Sequence, residues 1–325
     1  MSNPVSIGPF PLGMNNRRPD FKLAFGNDGV GGHLLRDALN VDVTEAGSVK
    51  TRPGFARSLE GTDCHSLWAP LSKEYALYCD AGGVYRMDVL PDGSTSKTLV
   101  ASGFGLLGPV RFAQVNEAVY FTDSVRVGSY HPTPGATSQW AGTQGTTVGD
   151  QQLAPMPAGS AIAHHRARLL VAVGHALIYS EPFQPNLRDE ARGFELFPAP
   201  IQCIAAVEAG VFVVADQTYF VADGFPAQAV RAVLPYGGPT QAAGYRLDGG
   251  AHWMSTRGMV SVTMAGEVKN IQEEHVALTA EGSAATLLRE SDGMRTVIAA
   301  LSEPSAFGAG VGSYAQSRII KKERP

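Results

Sequence analysis

Six segments of the chain share one pattern: an apolar strand, a tight turn of polar or glycine residues, and a second apolar strand. They read ALYCDAGGVYRM from Ala76, AVYFTDSVRVGSY from Ala118, RLLVAVGHALIYS from Arg168, GVFVVADQTYFVA from Gly210, AHWMSTRGMVSVT from Ala251 and, least regularly, RTVIAALSEPS from Arg295. Successive starts lie 42, 50, 42, 41 and 44 residues apart. Residues 143–160 are rich in Gly, Gln and Pro, read as an inserted loop, and account for the one long interval. A further strand is expected before most hairpins (His65, Val110, Ala161, Cys203, Ala242) and after them (Ser96, Gly193, Gln228). Three to four strands in about 40 residues form the blade of a β-propeller. One blade cannot cover both of its faces, and stacking blades around an axis buries them while protecting most edges. The expectation is an all-β chain, a β-propeller of about six blades spanning residues 34–325. An extended N-terminal arm over residues 1–33 precedes it.

Composition agrees. The 325 residues include 37 Gly and 21 Pro, a density of turn residues that favours short strands over long helices. Apolar residues make up 44% and charged residues only 17%, the reverse of what disorder requires. One segment, residues 271–288, carries Glu-rich polar positions with apolar Val276, Leu278 and Leu287. It suits one short helix or a loop and strand equally well. The 26 Lys and Arg are scattered against 30 Asp and Glu, which argues against wrapping nucleic acid. No apolar run approaches the roughly 20 residues that span a bilayer, and residues 1–10 do not read as a secretory signal. Three separated cysteines, Cys64, Cys79 and Cys203, supply neither a disulfide framework nor a zinc site.

The N-terminal region differs in kind. Residues 3–32 hold Asn15-Asn16, Arg17-Arg18 and the run GNDGVGG, and read as an arm lying over a surface or reaching a neighbouring subunit. After it, Val41 and Val43 alternate with Asn40, Asp42 and Thr44. A turn at Glu45-Ala46-Gly47 and the stop Pro53-Gly54 complete a β-hairpin. The phrase Ala38-Leu39-Asn40-Val41-Asp42-Val43, the glycine turn, and Lys50-Thr51-Arg52-Pro53-Gly54-Phe55 resemble a recurring opening of tailed-bacteriophage virion proteins. In that family the hairpin leads into a β-propeller, and the chain looks like a tail nozzle, or tubular tail protein. The best-known nozzle proteins are much longer, so the resemblance covers the hairpin and the propeller alone.

The resemblance implies a structural protein of the virion tail, assembled in the host cytoplasm. It would be a homo-oligomeric, six-fold ring attached to a portal adaptor or tail tube protein. Tail fibre or tip proteins would be further partners, DNA would be met only in passage through the channel, and no membrane insertion is implied. A receptor- or glycan-binding propeller at a tail tip and a propeller-type hydrolase or lyase are the alternatives.

No catalytic, cofactor-binding or metal-ligating set is expected, and no cofactor. Asp80, Asp123 and Asp216 occupy matching places at strand ends. They read as turn-starting residues rather than a cation-binding ring, because Val173 and Ser255 interrupt the series. His164 and His165 point to opposite faces of one strand, and with His175 they show no ligand spacing. The glycines of GFGLLG, from Gly103, precede Pro109 and a strand, with no helix to hold a pyrophosphate. Trp68 and Trp253 fall inside strand patterns, which suits core packing. Trp140, beside the insertion, is a candidate ligand contact. Arg17 and Arg18 in the arm, and Arg318, Lys321 and Lys322 near the C-terminus, are candidate partner contacts. The strand around Arg318–Ile320 is expected to pair with the N-terminal hairpin and close the ring.

Overall fold

A computed structural model describes residues 59–133, 151–222, 224–226, 229–275, 280–291 and 294–302, with shorter stretches at 41–43, 48–51, 146–148 and 318–323. Isolated positions among the first 35 residues are also described. The described residues form strands and turns and include no helix.

The first pair, β1 (Val41–Val43) and β2 (Val49–Thr51), makes a two-stranded sheet of its own. Sheet 1 follows with β3 (His65–Trp68), β4 (Ala76–Asp80), β5 (Gly83–Val89) and β6 (Thr95–Ser102). Sheet 2 has three strands, β7 (Arg111–Val115), β8 (Ala118–Thr122) and β9 (Val127–Tyr130). Next come β10 (Thr146–Val148) and β11 (Gln151–Pro155). Sheet 3 holds β12 (Ala161–His165), β13 (Arg168–Val173) and β14 (Ala176–Tyr179). It then lets β15 (Leu187–Asp189) leave to pair with β11, and takes β16 (Phe194–Leu196) as its outer strand. Sheet 4 is β17 (Cys203–Val207), β18 (Gly210–Val214), β19 (Thr218–Ala222) and β20 (Val230–Leu234). Sheet 5 is β21 (Gly244–Tyr245), β22 (Ala251–Ser255), β23 (Gly258–Val262) and β24 (Val268–Asn270). Sheet 6 pairs β25 (Ser283–Ser291) with β26 (Met294–Ser302) and adds β27 (Arg318–Glu323).

The cores lie between consecutive sheets. Leu77 and Val84 of sheet 1 meet Phe112 and Phe121 of sheet 2. Ala113 and Tyr120 meet Ile162, Leu169 and Val171 of sheet 3. Leu170 and Leu177 meet Ile204, Val211 and Val213 of sheet 4. Phe212 and Val214 meet Trp253 and Val260 of sheet 5. Met254 and Met259 meet Ala284 and Ala299 of sheet 6. Alternate residues of one strand therefore serve two different interfaces, as the period-2 geometry of a strand requires. Because both faces are covered, β17 and β18 are buried at every position and read as continuous apolar runs. Each of the Ile, Val and Phe side chains among them contributes about 1.5–3 kcal/mol on burial.

Tight turns set the hairpins. Ala81 and Gly82, both at positive φ, link β4 to β5, and Arg166 and Ala167 do the same for β12 and β13. Positive φ at both central residues is the two-residue turn that matches strand twist.

Two expectations change, and one open reading closes. The insertion at 143–160 is not a plain loop: residues 146–148 and 151–155 are strands, tied through Leu153, Ala154 and Pro155 to Leu187, Arg188 and Asp189. The expected pairing of the N-terminal hairpin with the C-terminal strand is absent among the described residues. There β1 pairs with β2, and β27 extends sheet 6 through Ile319 and Ile320 opposite Ile298 and Val297. A cross-strand partner inside its own sheet satisfies β27 without the hairpin. Of the two readings open for residues 271–288, a short helix or a loop and a strand, residues 283–288 follow the second as part of β25. The arm, in turn, is in part folded back. Met14 bridges Leu35, the Asn15 amide donates to the Leu35 carbonyl at 2.7 Å, and Asn15, Leu23 and Leu34 are buried.

Candidate functional site

The leading strands β3, β7, β12, β17, β21 and β25, one from each sheet, line a single cavity of about 2020 Å³. Its charged lining comprises Lys73, Arg111, Arg166 and Arg246 against Asp63 and Glu208. The cavity is thus cationic by two charges within a chain whose formal net charge is −4.

The arginines differ in how they are held. Arg246 donates from Nε to Asp248 Oδ1 at 3.0 Å and from Nη1 to Ser261 Oγ at 2.8 Å. Arg166 donates Nη2 to the Glu208 carbonyl at 3.4 Å, joining the turn of sheet 3 to that of sheet 4. Arg111, at the start of β7, is partly buried, and its Nε has no hydrogen-bond partner. Burial lowers its pKa, the direction expected for a charge drawn from water. The one group close enough to favour its charge is the Cys203 thiol. That thiol is pushed up to about 12 by its own burial and is neutral at pH 7, so it does not offset the guanidinium.

Four histidines also reach this cavity: His65, His164, His165 and His252. His164 is lowered by burial first and by neighbouring His165 second, and its Nε2 is buried without a partner. His252 is lowered to about 4, chiefly by burial and then by Arg246, and both its ring nitrogens lack partners. The Tyr245 hydroxyl accepts the Ala206 amide at 3.2 Å. His164, His252 and Tyr245 are neutral at pH 7 and offer hydrogen bonds rather than charge.

The sequence-level candidates fall as follows. His164 and His165 line the cavity, whereas His175 turns outward to the Phe197 carbonyl at 3.3 Å. Asp123 caps its own turn, accepting Val125 and Arg126 amides at 3.2 and 2.8 Å. Asp80 instead accepts the amides of Thr62 and Asp63, pinning the segment before sheet 1, and meets Lys97 at 3.3 Å. Those backbone bonds, more than Lys97, hold its carboxyl below the ordinary range. Asp216 accepts the Tyr219 hydroxyl at 3.0 Å. Three different partners for three matched positions give no common carboxylate ring. No group of three His, Cys, Asp or Glu able to hold a metal occurs among the described residues. Trp253 is a core residue, 5.6 Å from Phe212 between ring centres. Trp68 lines the cavity and stacks on Phe112 at 5.9 Å. Arg17 donates its amide to Asn15 at 3.1 Å. Trp140 and Arg18 lie outside the described residues. Arg318, Lys321 and Lys322 fall on β27.

Arg111 was not singled out from the sequence. It precedes the conspicuous hairpin of its unit, and the one available signal was a lone arginine opening a short strand of Phe112, Ala113, Gln114 and Val115.

No family model matches the sequence, and no curated protein matches it. Among solved structures, the extracellular domain of a putative hybrid two-component system, BT4673 of B. thetaiotaomicron, aligns with 70% of this chain. The match takes in 30% of that structure, at 10% identity and a TM-score of 0.44. A chain of a nidogen/laminin complex aligns over 77% of this chain and 93% of its own, at 10% identity and a TM-score of 0.43. The CNH domain of AfRom2 aligns over 83% of both chains, at 8% identity and a TM-score of 0.42.

Proposed function

We propose that the chain is a structural component of a bacteriophage tail. In this reading it is a nozzle-like protein whose six sheets close into a propeller and whose copies form a ring below the portal adaptor or tail tube. The ring surrounds the DNA exit path, with the six-fold symmetry that the family resemblance implies. The observation that carries the reading is the β1–β2 hairpin. It bears the Asn40-Val41-Asp42-Val43 and Lys50-Thr51-Arg52-Pro53-Gly54-Phe55 motif, stands as a sheet apart from the other seven, and leaves Val49, Lys50 and Thr51 exposed. Among the described residues neither strand has a second partner, and an unpaired edge beside exposed side chains suits strand addition by a neighbouring copy.

Light scattering and electron microscopy of the full chain test this, alone and mixed with the products of its flanking genes. Rings are expected, together with their loss to folded monomers when residues 40–55 are deleted. A chain that stays monomeric in every mixture overturns the reading. So does a deletion that leaves the rings intact.

A further inference from the structure

We propose that the central cavity binds an amphiphilic organic anion, with its carboxylate or phosphate at Arg111 and its apolar part on the leucine-lined wall. The inference does not depend on a role in a phage tail.

Two independent observations meet in this cavity. The first is charge. Among the described residues Arg111 has no carboxylate within ion-pair distance, and its Nε is without a partner. Leaving a buried charged donor unmade is costly, so an arginine so placed is suited to an anion that arrives from outside. A guanidinium offers carboxylate and phosphate a planar, two-point contact. His164, on β12 beside β7, lines the same cavity and has a buried ring nitrogen without a partner. Its neutral state at pH 7 leaves it free to donate or accept one hydrogen bond to the ligand.

The second observation is apolar. Leu67, Leu71, Leu247, Met264 and Leu287 all line the cavity, and all remain exposed to solvent. Five large, solvent-exposed apolar side chains lining one cavity are surface of the kind that marks a binding site. The space, about 2020 Å³, exceeds the roughly 300–1,000 Å³ of an ordinary ligand pocket, so a chain-like molecule fits alongside water.

Calorimetric titration of the full chain tests the assignment with four probes: decanoate, inorganic phosphate, the neutral amphiphile octyl glucoside, and vesicles of phosphatidylglycerol. Decanoate is expected to bind at one site and octyl glucoside at least about tenfold more weakly. Arg111→Gln should weaken decanoate by about tenfold or more, whereas Arg111→Lys should retain most of the affinity. Leu287→Ser should weaken decanoate and leave phosphate unchanged. If Arg111→Gln fails to fold, amide exchange of the wild-type chain decides instead, since decanoate should slow exchange in β7 and β12. Equal binding of decanoate and octyl glucoside overturns the proposal, as does unchanged affinity in folded Arg111→Gln. Protection confined to other strands overturns it too. Binding to vesicles without binding to monomeric decanoate would assign the anion recognition to the outer surface, against the cavity.

Discussion

The interface between sheets 4 and 5 and the one between sheets 5 and 6 use opposite faces of the same strands, yet they are built differently. The first packs Phe212, Phe220, Tyr236, Trp253 and Val260 together, with ring centres 4.9 Å apart for Phe212–Phe220. The second packs Met254 and Met259 against Ala280, Ala284 and Ala299. Aromatic side chains bury far more apolar area than alanine, and methionine fills irregular gaps without fixing one geometry. The burial of the strands follows suit. Every residue of β17 and β18 is buried, whereas β25 alternates, with Leu287 56% exposed. A sheet with a packed neighbour on each face has no solvent side, and β25 retains one. The comparison predicts a molecule whose stability is concentrated in its middle sheets.

The largest expected difference comes from truncating one side chain on each side. Phe212→Ala should destabilise by about 3–5 kcal/mol, the range for a large buried aromatic, while Leu287→Ala should stay within about 0.5 kcal/mol. Denaturant midpoints at constant slope measure both. Similar losses at the two positions would erase the distinction.

Acid should then act on sheet 5 through His252. Its folded pKa of about 4 lies below the ordinary histidine value, so between about pH 6.5 and 4 the unfolded chain binds the extra proton. The stability supplied by keeping this ring neutral is complete above about pH 6.5 and declines as pH falls, by about 3 kcal/mol at pH 4. His252→Leu should flatten that part of the pH profile. If the wild-type and the leucine variant lose stability in parallel between pH 6.5 and 4, the buried histidine is not the cause.

Hydrogen exchange sharpens the same contrast strand by strand. Amides of β25 and β26 should open at free energies about 1–2 kcal/mol below those of β17 and β18. Uniform protection across the two pairs would count against a loosely held sixth sheet.

The smallest effect belongs to a turn. Ala167 holds φ +64° between β12 and β13, a conformation that carries a penalty for any residue with a Cβ. Ala167→Gly should stabilise by about 0.5–1 kcal/mol, read as a rise in melting temperature. A fall would show that the methyl group is packed to advantage.

How far the sequence revealed this depended on where the pattern was local. The hairpins at Ala76, Ala118, Arg168, Gly210 and Ala251 repeat because each is one turn joining two strands of one sheet, and all five appear in the structure. The strand at Leu187–Asp189 was invisible because its partner Leu153–Pro155 lies some 30 residues away and shares no periodic signal with it. Val276 and Leu278 lie outside the described residues, and the neighbouring Thr286 and Leu287 face Ala299 and Ile298 across a hairpin. No short-range spacing encodes that pairing. The cavity was the least legible feature. Arg111, His164, Tyr245 and Leu287 come from four different sheets, and only the arrangement of leading strands brings them to one space.

The packing of each sheet against its neighbours in chain order bears on how the molecule is made. Sheets 1 to 5 each draw their strands from one contiguous stretch of chain, so most of their pairings are complete once that stretch has left the ribosome. Early local pairing suits a chain that emerges at about 5–20 residues per second. Sheet 6 is different. Its third strand, β27, begins at Arg318, sixteen residues beyond the end of β26 at Ser302. Met254 and Met259 of sheet 5 are covered by Ala280, Ala284 and Ala299, so they stay uncovered until β25 and β26 have emerged and paired. Nascent chains stalled before residue 283 should accordingly bind chaperone through sheet 5, and chains released at full length should not. Equal chaperone retention at both lengths would show that sheet 5 is shielded by some other route during synthesis.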